Sequence, residues 1–120
     1  MGKPLRIGAE LEKRTLAFAV AVLRFAETLP STPATRVVTA QVLRSATAIG
    51  ANYREANRAE SKADFIHKVA IALKEAAETE YWLQLCVATP LGTAGSAQDL
   101  RNEADELIAI LTTIRHKAAK

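Results

Sequence analysis

The sequence predicts an all-α protein: one antiparallel, up-and-down four-helix bundle occupying residues 1–120. Three observations lead there. Four long segments repeat apolar residues at the 3.6-residue period of a helix. Pro, Gly, Ser and Thr gather at two breaks, Leu29–Pro33 and Thr89–Gly95. Aromatic residues are only 5% of the chain while alanine is abundant, which favours helices packed through small side chains over a sandwich of strands.

The first helix is expected from about Ile7 to Leu29, with Leu11, Phe18, Val22, Phe25, Ala26 and Leu29 on one face. Thr32 followed by Pro33 reads as an N-cap with proline at the first helical position. The second helix starts there and carries Val38, Val42, Ala46, Ile49, Tyr53 and Ala56 on one stripe. No Gly or Pro separates it from the third, so the boundary is placed at Ser61, with Asp64 three residues on as in a capping box. The third helix spans about 62–88 and turns Phe65, Val69, Ala72, Leu73, Ala76, Leu83 and Val87 to a common face. Ser96–Asp99 is the expected cap of the fourth, whose stripe is Leu100, Ala104, Leu107, Leu111 and Ile114. Short connections between helices of about 30 Å make neighbours antiparallel.

Several function classes are excluded by composition. A single cysteine, Cys86, rules out a disulfide framework and any multi-thiolate metal centre. No run approaches the roughly 18 apolar residues of a membrane span, and Met1–Arg6 shows neither a leader pattern nor a myristoylation signal. The expectation is a soluble, cytoplasmic domain. A di-iron bundle needs a Glu-x-x-His pair on each of two helices, whereas Asp64-x-x-His67 stands alone and Thr113 precedes His116 at that spacing. No phosphate-cradling glycine loop or nucleophile elbow is present. The chain reads as a non-enzyme without metal or cofactor.

Charge is unevenly placed. Residues 1–62 hold ten Lys/Arg against five Asp/Glu, and residues 63–120 hold six against eight. On a wheel of about 100° per residue, Arg36, Arg44, Arg54, Arg58 and Lys62 fall within an arc of roughly 80°, away from the Val42/Ile49/Tyr53 face. Such a row can follow a phosphate backbone, although no aromatic residues interleave it to stack bases. Helix three has a second usable face made of Ile71, Glu75, Glu78, Trp82 and Leu85. A Trp, an Ile and a Leu beside two acids suit an oligomer interface with Trp82 as its anchor, the cations of a neighbour's second helix answering the acids. The alternative is a wider core that takes in Trp82. Glu80, on the core-facing stripe, requires a partner or a wet edge.

These same residues carry a resemblance. Gln41–Ala56, then Ser61, Asp64–Lys68 and Ile71–Leu83, resemble the central segment of the bacterial 23S rRNA intervening-sequence protein family. Thr47 stands where that family often has Ser. The resemblance implies a small four-helix bundle assembled as a homo-oligomeric pentameric ring and associated with RNA or the ribosome. The family's recurring positions fall on Arg44, Ser45, Asn52, Glu55, Lys74, Glu75, Glu78 and Trp82. Ser45 and Asn52 are expected to fix helix register by hydrogen bonds, and Ala46 and Gly50 to admit another backbone closely. The leading expectation is an RNA-associated oligomer; the competing one is a protein-interaction scaffold that binds no nucleic acid.

Overall fold

A computed structural model describes residues 7–93 and 95–120. The expectations for Met1–Arg6 and for Ala94 in the second break lie outside the described residues. Four helices and no strand are present among the described residues: α1 (Ile7–Ala26), α2 (Pro33–Ala56), α3 (Lys62–Ala88) and α4 (Ser96–Ala118).

The ends of these helices follow local chemistry. Thr32 caps α2 through its hydroxyl, which accepts from the Thr35 N–H at 3.2 Å, and Pro33 follows. Ser61 caps α3 by accepting from the Asp64 N–H at 3.0 Å. Both caps, and the α3 span, are where the sequence places them. α1 stops at Ala26 rather than Leu29 because the Thr28 and Leu29 amides reach back only three residues, to Phe25 and Ala26. Pro30 disfavours the helical conformation at Leu29. α2 stops at Ala56, since Ser61 needs an extended backbone to cap α3 and residues 57–60 make the turn into it. α4 lacks the expected side-chain cap: Gly95, with φ +84°, is the N-cap, and Ser96 already lies in the first turn.

Each helix packs on two others: α2 and α4 each contact both α1 and α3. The core joins Phe18, Val22 and Phe25 of α1, Val42, Ile49 and Tyr53 of α2, Val69 and Leu83 of α3, and Leu107 and Leu111 of α4. Phe65, Leu73, Val87, Leu100 and Ile114 pack against this core but are only partly buried. Each fully buried large aliphatic side chain contributes about 1.5–3 kcal/mol. Polar residues that the apolar period passes over, Thr15, Ser45 and Thr79, are fully buried as well. The hydroxyls of Ser45 and Thr79 pair at 2.8 Å across the α2–α3 seam, which fixes the register of the two helices. Asn52 does not cross a seam; its amide donates to the Ala48 carbonyl on its own helix. Gly50 supplies the close approach: a Cβ there would stand 3.0 Å from the Thr15 Oγ1 of α1.

Candidate functional site

The row of five cations expected on one helix is divided, because α2 ends at Ala56: Arg36, Arg44 and Arg54 stand on α2, Arg58 falls in the turn after it and Lys62 opens α3. All five are exposed, and their surroundings differ. Arg44 is answered inside its own chain: its guanidinium reaches Glu75 at 3.3 Å and also pairs with Glu78. The Trp82 indole donates to the same Glu78 carboxylate at 3.1 Å. The bond from Trp82 and the one from Arg44 hold Glu78 below the usual carboxylate range, and Glu78 in turn raises the Arg44 guanidinium. This cluster lies on the side of α3 that packs against α2. The acids expected to meet a neighbour's cations are engaged by Arg44 of the same subunit.

Arg54 is half-exposed and stands 3.9 Å from Glu12 of α1. Arg58 is exposed in a shallow cleft shared with Arg54, Glu55, Glu60, Asp64 and Lys68. Lys68 pairs with Glu55 at 2.9 Å in that cleft, while Arg58 has no ion pair among the described residues. Arg36 is exposed beside the α1–α2 turn and likewise has none among the described residues. Lys62 donates to the Lys120 carbonyl at 2.8 Å. That contact brings the basic end of α4 (Arg115, His116, Lys117) to the α2–α3 junction, a juxtaposition across 58 positions of sequence.

Along α3, Ile71, Glu75, Glu78, Trp82 and Leu85 are all partly buried. Trp82 packs against the core on one side and meets the exposed Tyr81 ring edge-on at 5.1 Å on another. Glu80 has the partner its position demands, Arg101 of α4 at 2.6 Å. Arg14 bridges α1 to α4 through two bonds to Glu103, at 2.7 and 2.8 Å. This pairing lowers the Glu103 pKa.

One surface lies outside the sequence expectations. Leu16, Val20 and Leu23 of α1 are 54, 44 and 48% exposed. Their spacing, three and four residues apart, marks a second apolar row on a helix already burying its opposite side. The 15–26 stretch is nearly all apolar, and that was the available signal. Beside the row, a furrow of about 270 Å³ runs between Leu16 and Ala19 of α1 and Thr47, Gly50 and Ala51 of α2.

Among the described residues, no three His, Cys, Asp or Glu side chains gather as a metal site. Among the same residues, no helix is long and apolar enough to cross a membrane. The Cys86 thiol is fully buried, and burial pushes its pKa up. The described surface thus combines exposed cations on α2 and in the turn into α3 with exposed apolar side chains on α1.

Helical-bundle proteins of this build form a recognised class. Residues 9–113 match the family described as 23S rRNA-intervening sequence protein, and the chain belongs to that family. A solved structure similar to it is a protein of unknown function from the S23 ribosomal protein family of Bacteroides thetaiotaomicron. The two are 42% identical over 87% of this chain and 96% of that one, with a TM-score of 0.80. No curated protein matches the chain.

Proposed function

We propose that the protein is a non-enzymatic, self-associating antiparallel bundle of the cytoplasm that holds RNA along the outer face of α2 and the turn that leads into α3. The observation carrying this reading is the set of cations directed away from the core, with Arg36 and Arg58 lacking any acid partner among the described residues. Arg54 and Lys62 continue the row toward the basic end of α4. Arg44 contributes least, because Glu75 and Glu78 already neutralise it. The family's description adds weight to RNA over other polyanions. A row of this kind meets phosphates rather than base edges, so binding is expected to be steep in salt and poor in sequence discrimination.

Self-association follows the family resemblance to a five-membered ring, with Ile71, Glu75, Glu78, Trp82 and Leu85 at the subunit contact. Trp82 is half-buried within its own subunit, which leaves part of the indole for a neighbour.

Filter binding of a mixed-sequence RNA between about 50 and 200 mM salt tests the nucleic-acid reading. Arg54→Ala/Arg58→Ala should weaken binding and flatten the salt slope with the assembly unchanged. No binding at low salt eliminates it. The second reading, a protein scaffold without nucleic acid, is favoured by the internal capture of Arg44 and by the apolar row on α1.

A further inference from the structure

The composition of α3 and the surface it shows differ. Lys62, Lys68 and Lys74 on this helix are outnumbered by Asp64, Glu75, Glu78 and Glu80. All of these acids are partly buried, and the last three are engaged, Glu75 and Glu78 by Arg44 and Glu80 by Arg101. After the first turn, the exposed residues of α3 are His67, Lys74, Ala77, Tyr81, Gln84 and Ala88, with no acid among them. A helix that is net acidic in sequence thus shows water a basic outer face.

His67, Lys74 and Tyr81 stand seven residues apart on that face. Seven residues make nearly two turns, so the three form one row with steps of about 10.5 Å. The row reads ring, ammonium, ring. Ala77 beside it keeps the flank low, so another flat group can approach a ring. Tyr81 is 55% exposed, and its contact with Trp82, 5.1 Å between centroids and 73° between planes, fixes the ring in place. A fixed phenol ring next to a cation can stack an unpaired base while the ammonium meets an adjoining phosphate. Bases inside a duplex offer it no free face.

We propose that the outer face of α3 is a second RNA contact, in which Tyr81 stacks an unpaired base and Lys74 meets the backbone. This rests on the RNA reading above and deepens it by naming the class of RNA: single strands, loops and ends rather than continuous duplex. The cations of α2 alone would accept strand and duplex alike, since both present phosphates. The two faces adjoin, because α2 packs on α3 with Arg44 at their seam, and packed helix axes lie about 8–10 Å apart. A strand held along α2 reaches Tyr81 without leaving the surface.

The probes are a single-stranded oligouridylate and a blunt RNA duplex of the same length, titrated by anisotropy against the full chain at low salt. Tyr81→Ala should weaken binding of the strand by about five- to a hundredfold, the effect of losing one stacked base, and leave the duplex unchanged. Tyr81→Phe keeps the ring and should bind both as the wild type does. Lys74→Ala should lower the salt slope for the strand by about one. Trp82 is the only tryptophan of the chain and touches Tyr81, so its emission should fall as the strand binds and stay level with the duplex. Wild-type affinity of Tyr81→Ala for the strand overturns the stacking assignment, as does a Tyr81→Phe that loses as much as Tyr81→Ala. Equal loss on strand and duplex marks a change in fold or assembly and overturns it too. An unchanged slope in Lys74→Ala removes that residue from the contact. A wild type that binds neither probe overturns the RNA reading with it, whereas one that binds both with no role for Tyr81 overturns this inference alone.

Discussion

Replacing Thr79 with valine removes one hydroxyl from the α2–α3 seam without changing its volume, so no cavity opens. The Thr79 hydroxyl lies 2.8 Å from Ser45 Oγ and 2.7 Å from the Glu75 carbonyl. Glu75 is within a continuous helix, and its carbonyl keeps its backbone partner. Ser45 is worse placed. Fully buried, it is left with only the Val42 carbonyl at 3.4 Å, a poor bond. An orphaned buried hydroxyl costs about 1–3 kcal/mol, while Thr and Val have similar helix propensity. Ser45→Ala alone should cost less, because Thr79 still donates to Glu75 and alanine gains about 0.5 kcal/mol of propensity. The double variant orphans nothing, so adding Ser45→Ala to Thr79→Val should restore stability. Urea denaturation followed at 222 nm, at one protein concentration, measures all three. In heat, each kcal/mol corresponds to about 4 °C for a chain this long. A neutral Thr79→Val, or a double variant weaker than Thr79→Val, would refute the orphaned-hydroxyl argument.

Two further outcomes follow from the ionisable and thiol groups. The bond from Arg14 holds the Glu103 pKa below its unfolded value, so this pair stabilises the fold above the ordinary carboxylate range and is lost as pH falls through the folded value. Thermal scans from pH 7 to 3 should show a shallower acid-side loss in Glu103→Gln than in wild type; identical slopes discount the clamp. Cys86 is fully buried with its thiol pKa raised, so a thiol-reactive chromophore should label it slowly in buffer and fully in urea. Fast labelling of the native protein contradicts that burial.

The apolar periods of all four helices, both side-chain caps at Thr32 and Ser61, and the need of Glu80 for a partner are legible along the chain. Each is a local property: a 100° step decides which residues share a face, and a hydroxyl three residues from an amide decides where a helix starts. The family itself is legible too, because residues 41–83 hold a dense run of its recurring positions. Seams are another matter. A wheel puts Arg44 outside and Glu75 and Glu78 opposite the core stripe of α3, whereas the packing of α3 against α2 brings the three together within one chain. Likewise Lys62 meets the end of α4, and Arg14 meets Glu103, across 58 and 89 positions that no period links. The apolar row on α1 shows the same limit in reverse. Alanine-rich periodicity marks two apolar sides of that helix, and only the positions of α2 and α4 decide which of them is covered. Helix faces are set by the pitch of the backbone, whereas neighbours are set by how four cylinders share one core.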